Sequence, residues 1–284
     1  MTTLVAPALE TPRPARSVIV ARRTFGGVLR GEWIKLLSLR STWWTLGSSV
    51  AVMTLIALAS AQSLGAMADD VAAAGGLAQL HGATIVSGGA QIGVVAIAVL
   101  GALLITGEYS TGMIRSTLAA VPTRLPVLVA KAIALVALTT GITAVSLTLS
   151  YLVTRPMLSR HGLVPALDDV QTWQVFGGTA FFLVAAALFA LGVGTIVRST
   201  AAAVTVALTV LLLLPGLLQL IRLDWVQTLV SYLPLPAAGS FLNLGDAASL
   251  GGSQLSPGAG LLVIAAYAVV PLVVGGLVLR RRDA

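Results

Sequence analysis

Six long apolar runs dominate what this chain can become. They fall at residues 42–62, 84–106, 127–153, 174–197, 201–221 and 259–279. Each reaches the roughly 20 apolar residues that cross a bilayer's hydrocarbon core. Inside lipid every backbone N–H and C=O must be bonded within the segment, so continuous runs of this kind read as helices; a β-barrel would show short alternating strands instead. Only 10% of the residues are charged and mean hydropathy is +0.98, too few charges to cover a water-facing surface. The reading is an all-α integral membrane protein. Pro215 and Pro271 fall inside the fifth and sixth runs and are expected to kink them. Trp43 and Trp44 open the first run, where amphipathic rings favour the interface.

Orientation follows from lysine and arginine. With the N-terminus inside, seven basic residues precede residue 42, and Arg115, Arg124, Lys131, Arg198 and Arg280–Arg282 join them. Only Arg155, Arg160 and Arg222 then lie outside. The bias predicts N-in and C-in topology. Lys131, about one turn inside the third run, is expected to snorkel to the cytoplasmic surface. Residues 1–23, broken by Pro7, Pro12 and Pro14, read as a flexible cytoplasmic tail, and residues 24–284 as one domain.

Three pieces do not span. In residues 24–41, Phe25, Val28, Leu29, Trp33, Leu36 and Leu37 share a broad helical arc, with Glu32 inside it and Ile34 opposite. This predicts an amphipathic helix on the inner membrane surface. The segment from Arg222 to Pro257 is partly apolar but divided by Pro234 and Pro236, which suits short helices dipping into the outer leaflet. The third piece, GEYSTGMIRSTLAAVPTR at 107–124, joins runs two and three.

That piece begins like a phosphate loop, with Gly107 and Gly112 at G-x-x-x-x-G spacing, but Met113 and Ile114 stand where Lys and Ser or Thr belong. An apolar helix precedes it instead of a strand, so the motif logic argues against ATP binding by this chain. Ser110 or Thr111 can cap a short helix running toward Pro122, with Glu108 and Arg115 on its cytoplasmic side, ready to press into a partner's groove.

Catalytic and metal chemistry find little support. There is no cysteine. His81 and His161 are isolated, and Asp168–Asp169 is near His161 only loosely, so no metal set is predicted. No nucleophile motif occurs. No ionisable residue marks the centre of a run, which argues against a proton- or sodium-driven carrier. Gly89 and Gly93 form a weak G-x-x-x-G packing signal, read as intramolecular. Energy from outside the chain is the natural expectation. A non-transporting scaffold or immunity-type protein and a membrane-embedded lipid-modifying enzyme are the alternatives.

From residue 24 onward the chain resembles the membrane (permease) subunit of a type 2 ATP-binding-cassette exporter. The resemblance rests on GEWIKLLSLRSTWW at 31–44, on GEYSTGMIRSTLAAVPTRLPVLVAKAI at 107–133, and on the proline-divided segment before the last run. In the second stretch Glu108, Tyr109, Gly112, Arg115, Leu118–Pro122, Arg124 and Lys131 match in order, with Met113 the departure. The resemblance implies a separate ATPase subunit that binds ATP and Mg, so that this chain itself binds no cofactor and is not an enzyme. It implies a second permease subunit, identical or a sister, a lipid environment in the plasma membrane, no nucleic acid, and export of a lipophilic drug, lipid or peptide. It makes residues 107–124 a coupling helix, with Glu108, Tyr109, Thr111, Gly112, Arg115 and Arg124 contacting the ATPase. It makes residues 24–41 a surface connecting helix bearing Glu32, Trp33, Lys35 and Arg40.

Overall fold

The computed structural model describes residues 24–73, 80–120, 124–242 and 255–281, with side chains at all of these except 66–73, 115 and 118–120. The N-terminal tail, Pro122, Asp246, Arg282 and the side chains of Asp69, Asp70 and Arg115 lie outside what is described. The described residues are nearly all helical and contain no strand.

Helix α1 (Phe25–Ser38) starts at Thr24, whose hydroxyl accepts from the Gly27 N–H, and gives way at Leu39 to the long α2 (Arg40–Ala73). Short α3 (Gly82–Ser87) leads into α4 (Ala90–Ser110), then α5 (Met113–Ala120), α6 (Leu125–Leu158) and α7 (Val170–Val197). The fifth run is α8 (Thr200–Leu208), a π turn over Thr209–Leu213 and α9 (Leu214–Gln219). Two short helices, α10 (Asp224–Ser231) and α11 (Pro234–Leu242), precede α12 (Pro257–Arg281).

Six helical stretches are long and apolar enough to span: Arg40–Gly65, Gly82–Ser110, Leu125–His161, Val170–Val197, Thr200–Gln219 and Pro257–Arg281. They match the six runs read from sequence to within a few residues, except that the third extends further, through Pro156. Pro215 has no N–H to offer the Leu211 carbonyl, and the helix widens to π geometry just before it. Pro271 instead sits inside one continuous helix.

The second and fourth spans form the centre, with 61% and 67% of their most apolar windows buried, against 22% for each of the last two. The reason is local. A Cβ on Gly101 of α4 would collide with the Ala187 carbonyl of α7, and one on Gly192 would come within 2.6 Å of the Pro271 backbone on α12. Absent side chains therefore let α4, α7 and α12 meet backbone to backbone. Leu104, Ile105, Phe182, Leu183 and Leu191 fill the space between. Gly89 and Gly93 both face Met53 of α2, so that glycine pair packs within the chain.

The bundle has two chemically different ends. At one, the last turn of α4 meets α1, the first turns of α6 and the C-terminus of α7, and the start of α6 meets the C-terminus of α12. At the other, Asp169 caps α7, its carboxylate accepting from Gln171 and Thr172 N–H at 3.1 and 3.2 Å, and bonds His81 at 3.0 Å. His81 is therefore not isolated. Its Nδ1 accepts from the Ala83 N–H, which leaves Nε2 to donate to Asp169.

Candidate functional site

Four charges form a closed ring at the first end. Lys131, in the second turn of α6, donates to Glu32 Oε2 at 2.6 Å and to Glu108 Oε1 at 2.7 Å. Lys35 donates to Glu32 Oε1 at 2.8 Å and to Glu108 Oε1 at 3.0 Å. Acid and base alternate around the ring, so its formal charge is zero. Glu32 and Lys35 lie three apart on α1 and share a face. Glu108 ends α4, and Lys131 comes from α6. The ring thus ties three helices together, and a fifth bond, Lys35 to Thr117 Oγ1 at 3.4 Å, reaches a fourth, α5.

The setting explains the composition. The side chains of Lys131, Glu32 and Glu108 are only 1%, 3% and 5% exposed. An isolated ion in such a place costs several kcal/mol, and only paired, hydrogen-bonded geometry offsets it. Lys35 is the ring's outward member, 33% exposed. Burial alone would lower its pKa; the bonds to Glu32 and Glu108 and the attraction of both carboxylates outweigh that and raise it above the ordinary 10.5.

Two expectations change here. Lys131 does not snorkel: it is among the most deeply buried large side chains, because two carboxylates meet it inside the bundle. Glu108 does not belong to the short helix or face outward; it sits in the last turn of α4 with its carboxylate turned inward. The misfit of Glu32 in the apolar arc of α1 is resolved the same way. Glu32 and Leu36 are the buried residues of α1, while Phe25, Trp33 and Ile34 are exposed, the last at 56%. The apolar face is rotated, and a charge occupies the packed one.

The other expected residues frame the ring. Ser110 and Thr111 do not cap α5; both hydroxyls donate back to the Gly107 carbonyl, at 3.0 and 2.8 Å, and close α4. Gly112 follows at φ +71°, a conformation that costs a side-chain-bearing residue about 1 kcal/mol or more, and α5 begins. Ile114 is buried, whereas Ser110, Thr111, Gly112, Met113 and Ser116 are exposed. Arg198 stands over the half-buried Tyr109 ring, 5.3 Å from its centroid. Arg124, itself at φ 56°, donates to the Leu279 carbonyl at 3.0 Å, anchoring the start of α6 to the last turns of α12. Thr200 donates to Thr106 at 3.0 Å, joining α8 to α4. Arg40, at the head of α2, is exposed. Arg115 lies on α5.

The ring was not assembled from sequence. The available signal was the scarcity of charge: four of the few ionisable residues sit at the margins of apolar segments, two acidic and two basic, and one of them spoils an otherwise apolar arc.

Six stretches long and apolar enough to span, a charge-locked end and a short helix hung from it are the build of a polytopic helical membrane protein. The comparison with known families agrees: the model described as ABC-2 family transporter protein matches residues 28–284, and the chain belongs to that family. It is the membrane permease of an ABC transporter, multi-pass, and family membership implies partnership with an ABC ATPase subunit. No curated protein gives a significant match.

Proposed function

We propose that this chain is an exporter permease for a lipophilic drug, lipid or peptide, and that an ATPase subunit drives it through α5 and the turn before it. The carrying observation is the position of α5. It hangs between α4 and α6, its Ile114 is buried, its Thr117 bonds the ring through Lys35, and Thr111, Gly112, Met113 and Ser116 are exposed. A push on that outward face is delivered to a hub shared by α1, α4 and α6. In this reading Thr111, Gly112, Tyr109 and Arg115 meet the ATPase. Glu108, Glu32, Lys35 and Lys131 act as positioning residues that make the helices respond together, and Arg124 carries the motion to α12. The ATPase holds ATP and Mg.

The basic residues gathered at this end support its placement on the cytoplasmic face, with both termini inside and the chain in the plasma membrane. The strongly exposed apolar surfaces of the fifth and sixth spans, including Leu213, Leu217, Leu262 and Val273, suit lipid and a second permease subunit. A cavity of about 480 Å³ between α6 and α7, lined by Leu147, Tyr151, Trp173 and Phe176 with threonine hydroxyls, favours a lipophilic cargo.

The absence of cysteine makes the test clean. Ser116→Cys, purified with its ATPase and treated with a short bifunctional thiol-to-amine reagent, is expected to form one cross-linked product with a P-loop ATPase, and a cysteine at Thr148 none. A permease that recovers no ATPase from its own membranes and cross-links to none through position 116 refutes the coupling reading.

A further inference from the structure

A cavity of about 290 Å³ opens beside the charge ring, between the start of α2, the end of α1 and the last turns of α4. Its walls are of two kinds. Leu36, Leu100, Leu103 and Leu104 make one side apolar, and Lys35, Glu108 and Lys131 close the other. Glu108 is 4% exposed, and among the described residues its Oε2 has no hydrogen-bond partner, although Oε1 accepts from both lysines. A buried carboxylate oxygen without a donor is expensive, and it belongs to one of the residues that line the cavity.

We propose that this cavity binds the head group of a phospholipid carrying a primary ammonium, of the phosphatidylethanolamine type. Depth is set by Trp43 and Trp44, 58% and 80% exposed on the first turn of α2 beside the cavity residues Ser41 and Thr42. Exposed tryptophans of this kind sit at head-group level. Leu39, 52% exposed, carries the apolar lining out to the surface, where acyl chains can lie. Charge selects the head. The ring is neutral, two carboxylates against two ammonium groups, so a zwitterion enters without leaving a net buried charge. The lipid's ammonium N–H donates to Glu108 Oε2. The lipid's phosphate lies toward Lys35, whose longest bond, 3.4 Å to Thr117, is the one a phosphate oxygen displaces. A choline head has no N–H to donate, and a phosphatidylglycerol head brings a negative charge and no ammonium. The site therefore ranks ethanolamine lipid above choline lipid and above glycerol lipid. Displacement of the Thr117 bond makes the lipid's presence felt at α5.

The test needs no ATPase, so its outcome is separate from that of the coupling reading. The full chain is delipidated in detergent and titrated with phosphatidylethanolamine, phosphatidylcholine or phosphatidylglycerol of matched acyl chains, with bound lipid read by native mass spectrometry. The expected result is at least tenfold tighter retention of the ethanolamine lipid, with mono- and dimethylated ethanolamine heads in between. Leu103→Trp, which fills the apolar wall without touching the ring, is expected to abolish the preference with the thermal midpoint held; Glu108→Gln is expected to reduce it, and Leu103→Trp decides the matter should Glu108→Gln fail to fold. Equal retention of the three lipids by the unaltered chain, or an unchanged preference in Leu103→Trp, overturns the proposal.

Discussion

Lys131→Met is the sharpest probe of the ring. Methionine keeps most of the side chain's length and apolar stem and removes only the ammonium. In the structure that ammonium is 2.6 Å from Glu32 and 2.7 Å from Glu108, and the residue is 1% exposed. Its loss leaves two nearly buried carboxylates sharing Lys35 alone, at 2.8 and 3.0 Å. Removing one partner of a buried ion pair costs about 3–5 kcal/mol, chiefly because the remaining charge stays buried and uncompensated. That is about two to four powers of ten in the folding equilibrium. Lys35→Met removes the same charge from the same two acids, but Lys35 is 33% exposed and solvent already screens it. Its cost is expected nearer the roughly 1 kcal/mol ceiling of exposed pairs. The prediction is thus an asymmetry between two chemically identical substitutions.

The assay is equilibrium unfolding in mixed micelles by denaturing detergent, followed by tryptophan fluorescence, for both variants and for Glu32→Gln/Lys131→Met. Glu32→Gln alone strands Lys131 against a single acid; the double variant removes one charge of each sign and is expected to recover part of the loss, giving favourable coupling of about 1–3 kcal/mol in the cycle. Equal costs for Lys131→Met and Lys35→Met, or strictly additive effects in the double variant, would refute the reasoning: the ring would then be four charges near one another rather than an interlocked unit.

Further outcomes follow from the same geometry. Because the folded-state pKa of Lys35 is raised above 10.5, its stabilisation is complete below that value and is lost as pH climbs through the folded pKa; melting curves from pH 9 to 12 should fall more steeply for the unaltered chain than for Lys35→Met. Asp169 shows the opposite sign. The Gln171 N–H, with His81 and Thr172, holds its carboxyl below the ordinary 3.8, so its contribution exists above about 3.8 and fades as pH falls further, and the gap in thermal midpoint between the unaltered chain and Asp169→Ala should close in acid. Gly107→Ala, whose added Cβ meets nothing within 4 Å, should stabilise α4 by about 0.5–1 kcal/mol. Gly192→Ala, pressed against Pro271, should cost about 1–3 kcal/mol, and equal thermal midpoints for the two would contradict the packing described for α7 and α12.

What sequence reading recovers here, and what it misses, separates along one physical line. Span count and helical character were legible because hydrocarbon imposes the same demand on every segment that crosses it, and the demand is written in unbroken apolar runs. The meeting of α4, α7 and α12 was not legible: Gly101 and Gly192 look like any of the 29 glycines until a neighbouring backbone lies where a Cβ would be. Lys131 was misjudged for a related reason. Snorkelling assumes that water is the only place for an ammonium near a helix end, whereas here two carboxylates from helices 23 and 99 residues away in sequence supply an internal alternative. Glu32 marks the difference between the two kinds of reading. Periodicity placed it on the apolar arc of α1 and scored it as a defect there, whereas the face that α1 buries is rotated and holds Glu32 with Leu36. A defect that lands on the packed side of a helix must have a partner there, since the unpaired charge would cost more than the helix gains by docking. Two acids and two bases at the margins of apolar segments were thus a pairing problem stated in the sequence, and only the bundle decides which acid meets which base. That decision links α1, α4 and α6 at one point and leaves α5 attached to the same hub, which is the geometry that the proposed drive by a partner ATPase relies on.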